Sequence, residues 1–152
     1  MMLKTRDDLK LYRTQSQNKM KKEDCRILIC AGTGCLAGGS GKIYKTLSEM
    51  SSEIEGVSLE FGPEAAHIGV HQSGCHGFCE MGPLVRIEPF GYLYIKVKPE
   101  DCAEILDKTI INDECVERLA YTKNGEVYKK QEEIPFYEKQ TRLALEHCGQ
   151  ID

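Results

Sequence analysis

A chain of 152 residues is long enough to bury a core without disulfide support and too short for two large domains. Its 20 basic and 24 acidic side chains leave a net charge of −4, without the basic excess of a nucleic-acid binder, and no run approaches the roughly 18 apolar residues of a membrane span. Eight cysteines, behind an N-terminus that lacks the apolar core of a signal peptide, point to a cytoplasmic protein in which thiols serve metal or redox chemistry more than disulfides.

Residues 1–23 are polar, with Leu3, Leu9, Leu11 and Tyr12 as their apolar area, and Thr5 stands three residues before Asp8 as in a capping box. A loosely docked or frayed helix is expected. Arg26-Ile27-Leu28-Ile29-Cys30 is short, apolar and followed by glycines, which suits a buried strand carrying Cys30 at its C-terminal end. From Lys42 to Glu55, Ile43, Leu47, Met50 and Ile54 recur at helical spacing, with Ser40 as N-cap and Gly56 as stop. Val57-Ser58-Leu59-Glu60-Phe61 alternates like a half-buried strand.

Leu84 to Glu88 and Tyr92 to Val97 read as two further strands, joined as a hairpin around Pro89-Phe90-Gly91. Pro99 opens a helix whose apolar face is Cys102, Ile105, Leu106, Thr109 and Ile110. Asn124-Gly125 marks a tight hairpin within residues 121–128, and a last helix runs from about Phe136 to Cys148, stopping at Gly149. The order β-α-β, then β-β-α, implies an α/β sandwich in which helices cover a small mixed sheet of about four strands. The chain divides into a polar helix or tail (1–23), one domain (24–112) and a hairpin-and-helix extension (113–152).

Two thiol pairs stand out. Cys30 and Cys35 are separated by four residues including Gly32 and Gly34; Cys75 and Cys79 are separated by three, within Ser73-Gly74-Cys75-His76-Gly77-Phe78-Cys79. Four thiols can hold zinc or an iron–sulfur cluster. Zinc sites favour C-x2-C knuckles, whereas wider spacings let four sulfurs surround two irons, so the iron–sulfur reading leads and zinc is the alternative. Gly32, Gly34, Gly38, Gly74 and Gly77 would keep backbone amides open towards negatively charged sulfurs. A thioredoxin-type dithiol catalyst would need C-x-x-C, which is missing.

Other candidates have plainer readings. Cys102 lies on an apolar stripe and packs; Cys25, Cys115 and Cys148 have no ligand-like partners. His76 is expected to face solvent beside the thiols and tune them, while His67 and His71 are expected to pack locally. Gly38-Gly39-Ser40-Gly41-Lys42 lacks the spacing of a phosphate loop.

The pattern Cys30, Cys35, Cys75 and Cys79 over residues 25–112, with Gly-Cys-x-Gly-x-Cys followed by Gly82-Pro83, resembles the thioredoxin-like [2Fe-2S] ferredoxins and the related domains of NADH dehydrogenases and NAD-linked hydrogenases. The x4 first gap is similar to the complex-bound versions more than to free-standing ferredoxins. Ile134 to Arg142 and Leu145 to Asp152 resemble the segment preceding the flavin domain of NADH-binding flavoprotein subunits.

The resemblance implies one [2Fe-2S] cluster on the four thiols and a non-catalytic single-electron carrier. FMN, NAD(H) and a further iron–sulfur cluster are expected in a missing part of the parent subunit. It implies other redox subunits of a hydrogenase or NADH dehydrogenase complex as partners, allows a homodimer, and involves neither nucleic acid nor membrane insertion. A free-standing thioredoxin-like ferredoxin is the nearest alternative.

Overall fold

A computed structural model describes residues 4–20, 23–61, 68–141 and 143. Strand β1 (Cys25–Cys30) lies inside a four-stranded sheet, parallel to β2 (Ile68–Ser73) on one side and antiparallel to β3 (Val85–Glu88) on the other. Strand β4 (Tyr92–Tyr94) closes the order β2-β1-β3-β4 by antiparallel pairing with β3. An inner strand covered on both faces has no polar side, which is why Ile27, Leu28 and Ile29 follow one another and all are buried.

The main core joins Ile27, Ile29, Val85 and Ile87 of the sheet to Ile43 and Leu47 of helix α3 (Ser40–Phe61) and to Cys102, Ile105 and Leu106. The last three lie on one helical run, residues 99–111. It opens as a 3-10 turn (Pro99–Asp101), continues through α4 (Cys102–Glu104) and widens to a π-helix (Ile105–Ile111). Burying each such aliphatic side chain contributes about 1.5–3 kcal/mol. Among these apolar groups, Tyr94 Oη lies 2.6 Å from Thr109 Oγ1 and accepts the Val116 N–H at 3.1 Å, which satisfies a hydroxyl that burial pushes up to about 12.

Helix α1 (Arg6–Met20) has the expected capping box: Asp8 N–H donates to Thr5 Oγ1 at 3.1 Å and Thr5 N–H to Asp8 Oδ2 at 2.8 Å. Those bonds, the Thr5 hydroxyl's first, hold the Asp8 carboxyl below its usual range. Leu9, Leu11 and Tyr12 are exposed on it. Among the described residues no helix is long and apolar enough to cross a membrane.

Downstream, β5 (Tyr121–Lys123) and β6 (Glu126–Tyr128) pair around Asn124 and Gly125, whose φ angles of 54° and 85° make the turn that Asn-Gly chemistry favours. This extension is docked on the sheet edge. Ile95 N–H donates to Leu119 O at 2.8 Å, Leu93 N–H to Lys129 O at 3.0 Å and Gln131 N–H to Gly91 O at 3.1 Å. Short helix α5 (Pro135–Glu138) follows, with Ile134 and Tyr137 buried.

Several expectations need correction. Val57 to Phe61 is helical, not a strand: α3 continues through Gly56, since one interior glycine costs only about 1 kcal/mol and five alternating residues fit either period. The second strand is instead Ile68–Ser73, which Gly69 and a polar C-terminal half disguise. Ser40 begins α3 without capping it, and its buried Oγ has no hydrogen-bond partner. Residues 33–37 of the first thiol loop form a short helix, α2 (Thr33–Ala37). Strand β4 stops at Tyr94 instead of Val97, and α5 stops at Glu138, with Cys148 and Gly149 outside the described residues. Ile54 falls where only the backbone is described.

Candidate metal centre

The sheet's parallel pair builds the site. Cys30 is in register with Ser73 at the C-terminal ends of β1 and β2, so the chain leaves both strands at one level and the two thiol segments meet there. Ala31 N–H donates to Ser73 O at 2.9 Å and Cys30 N–H to Leu84 O at 3.0 Å, which ties the exits together. After β1 the turn of α2 carries Cys35 back against Cys30, both buried; Cys75 is half-buried and Cys79, opening a 3-10 turn (Cys79–Met81), is exposed.

Glycines bring these thiols within reach of one another. A Cβ on Gly32 would lie 3.2 Å from Cys75 Sγ and 3.5 Å from Cys30 Sγ; one on Gly34 would lie 3.6 Å from Cys79 Cβ. A Cβ on Gly82 would lie 2.8 Å from Cys35 Sγ, closer than real contacts allow. Gly77 takes φ +82° and its N–H donates to Cys75 Sγ at 3.3 Å, while Gly74 offers its carbonyl to Ser73 Oγ at 3.3 Å. Cys30, Cys35, Cys75, Cys79, Gly32, Gly34 and Gly77 lie together here, with Gly74 at the border. Gly82 was not singled out as a cradle residue, although the Gly-Pro after the second pair was its signal.

The thiols come as two pairs. Cys75 Sγ and Cys79 Sγ are 3.9 Å apart, and Cys30 and Cys35 pack together in one buried cluster. Burial first, then the Cys30 thiol, pushes Cys35 up to about 12, and the hydrogen bond with Cys75 raises Cys79. Thiols so placed ionise when a metal binds them, because the metal takes the proton's place.

His76 is buried rather than solvent-facing. Its Nε2 lies 2.7 Å from Ser73 Oγ and its Nδ1 3.4 Å from Gln131 Oε1, because residue 131 reaches over the loop from the docked extension. His71 pairs with Glu23 at 2.9 Å on the surface of β2, and His67 lies outside the described residues. Cys25 and Cys102 belong to the main core, where burial pushes each up to about 11, and Cys115 packs against it.

Valine at Gly77 would carry left-handed strain of about 1–2 kcal/mol and crowd the amide facing Cys75. We expect lower iron loading or a shifted midpoint potential in Gly77→Val, read by iron analysis and redox titration. Unchanged values for both would make Gly77 a turn residue only.

A thioredoxin-like mixed sheet with two thiol pairs at the exit of its parallel strands defines an iron–sulfur protein of the ferredoxin class. A family model described as thioredoxin-like [2Fe-2S] ferredoxin matches residues 9–110, and the chain belongs to that family. The relatives include a [2Fe-2S] ferredoxin of Aquifex aeolicus (strain VF5), 47% identical over 51 residues, covering 34% of this chain. The match spans only 46% of that protein's length. A [2Fe-2S] ferredoxin of Clostridium pasteurianum is 33% identical over 85 residues, 56% of this chain and 76% of its own. The crystal structure of the wild-type thioredoxin-like [2Fe-2S] ferredoxin from Aquifex aeolicus superposes with a TM-score of 0.53 at 28% identity, covering 66% of this chain and 99% of that one. A second structure of such a ferredoxin from that organism gives 0.54 at 27%, covering 69% and 96%. Family membership brings a [2Fe-2S] cluster and electron transfer with it. The residues fit such a cluster: two thiol pairs, a cradle that side chains at Gly32, Gly34 and Gly82 would fill, and an N–H aimed at a ligand sulfur.

Proposed function

We propose that Cys30, Cys35, Cys75 and Cys79 hold one [2Fe-2S] cluster and that the domain relays single electrons inside an NAD(H)-linked oxidoreductase or hydrogenase complex. The observation that carries the ligand assignment is the meeting of the two thiol pairs on the glycine cradle. A bound cluster supplies one-electron chemistry. The protein holds the sulfurs apart in pairs, aims an amide at one of them, and leaves the Cys75/Cys79 side open to a partner while burying the Cys30/Cys35 side.

The finer reading rests on the short x4 gap and on the 134–142 segment, which resembles the approach to a flavin domain. The partners would be redox subunits carrying FMN, NAD(H) and further iron–sulfur clusters, and a homodimer is a separate option. Two measurements test this. The chain alone should not oxidise NADH with an artificial acceptor, whereas dithionite should bleach its visible absorption and give an S = 1/2 EPR signal. NADH turnover by the chain alone would overturn the carrier reading, and a colourless protein holding zinc would overturn the cluster. A complex purified natively through a tag on this chain should contain FMN and pass electrons from NADH to the cluster. A flavin-free carrier that NADH cannot reduce would leave a free-standing ferredoxin.

A further inference from the structure

We propose that Tyr137 and Phe136, carried by the extension beyond the family domain, are positioning residues that clamp the Cys75–Cys79 loop and set the geometry of its thiol pair. This rests on the cluster reading for its redox consequence and on the loop contacts for its substance.

Phe78 sits next to the exposed Cys79, yet it is only 7% exposed. What covers it comes from the extension. Phe136 stacks on it at 4.5 Å with planes 7° apart, Tyr121 meets it edge-on at 5.3 Å and Tyr137 edge-on at 5.8 Å. Tyr137 Oη donates to the His76 carbonyl at 3.0 Å, a buried bond that fixes the peptide immediately before Gly77. Gln131 Oε1 faces His76 Nδ1 and accepts from Arg86 Nη1 at 3.1 Å. Two loop residues, 76 and 78, on either side of Gly77, are therefore gripped from residues 121–137.

The grip has a rigid base. Residues 119, 129 and 131 are bonded to the β4 edge, and Ile134 is fully buried beneath α5. The family match ends at residue 110, and the Aquifex structure covers 66% of this chain. The clamp is supplied by residues that lie beyond the family match. A loop that closes on a metal must hold two sulfurs at one spacing, and local opening is how such a loop releases its cargo. Aromatic pairs of this kind and one buried hydrogen bond act against that opening.

Tyr137→Phe removes the bond to His76 and keeps the ring; Phe136→Leu removes the stack and leaves an aliphatic side chain at a position that is 41% exposed. In the cluster-loaded chain each should release iron to a chelator about 5-fold faster, the factor of one ordinary net hydrogen bond for Tyr137→Phe and of one aromatic pair for Phe136→Leu, and shift the midpoint potential. In the cluster-free chain, amide hydrogen exchange should rise at residues 76–79 and stay unchanged in β1. The proposal fails if exchange at 76–79 is unaltered, or if it rises equally in β1, which would make both residues general packing. Should the wild-type chain bind no iron and sulfide, the cluster reading falls, and the exchange measurement still decides the clamp. If Tyr137→Phe does not fold, Phe136→Leu carries the same two outcomes.

Discussion

Serine at Cys79 should strip the cluster or move its visible spectrum to the blue, whereas alanine at Cys25, Cys102 and Cys115 together should leave two irons and two sulfides per chain. The contrast is sharpest at Cys79 because that side chain is exposed. A hydroxyl there costs no desolvation, so lost iron cannot be blamed on a damaged fold. Serine at Cys30 or Cys35 is a poorer probe, since a buried unpaired hydroxyl would itself cost about 1–3 kcal/mol. The chemistry behind the loss is ligand hardness: an alkoxide is harder and more basic than a thiolate and suits an iron–sulfide core less well. The other three thiols face the main core, 25 from β1, 102 from α4 and 115 from the loop after residue 111, and their removal costs packing and, at Cys102, a long Sγ–H bond to Lys98 O at 3.9 Å. Iron and sulfide analysis beside a thermal melt checks both halves. Full iron and an unaltered spectrum in Cys79→Ser, with iron lost from the triple variant, would require the ligand set to be redrawn around Cys25.

What the sequence made legible is what local chemistry encodes. The thiol spacings mark two segments that the fold brings together at the ends of β1 and β2. The Asn124-Gly125 turn and the Thr5/Asp8 box each depend on residues within three positions and each formed as read. Strand β2 was illegible for a physical reason: an edge strand paired only with β1 needs few apolar positions, and Ile68-Gly69-Val70-His71-Gln72-Ser73 shows just two. The alternation at 57–61 drew the strand assignment instead, while the helical ladder of α3 overrode it. Burial of His76 was equally out of reach, because it depends on Gln131 and Tyr137, 55 and 61 residues away. Docking of the extension follows from backbone bonds to β4 that no side-chain pattern announces.

Gly82→Ala should empty much of the site, whereas Gly41→Ala should load fully and leave stability unchanged or slightly raised. Gly82 has φ −69° and ψ 161°, a conformation any residue adopts, so alanine there adds no backbone strain and its effect comes from space alone. That space is missing: the new Cβ would stand 2.8 Å from Cys35 Sγ and 3.3 Å from Cys79 O. Cys35 cannot yield easily, because it is buried on α2 and packed in one cluster with Cys30. The 3-10 turn cannot yield easily either. Gly82 N–H is tied to Cys79 O at 3.1 Å, and Met81 O accepts the Lys96 N–H at 2.8 Å. Relief must come from turning the Cys35 sulfur away from its partners, which removes one donor from the set. At Gly41, by contrast, a Cβ meets nothing within 4 Å, and alanine in the first turn of α3 can gain up to about 0.5–1 kcal/mol of helix propensity. Iron per chain, circular dichroism and the melting temperature of both variants, made side by side, separate loss of ligand geometry from loss of fold. A fully loaded Gly82→Ala with the wild-type spectrum would show that Cys35 does not hold the metal.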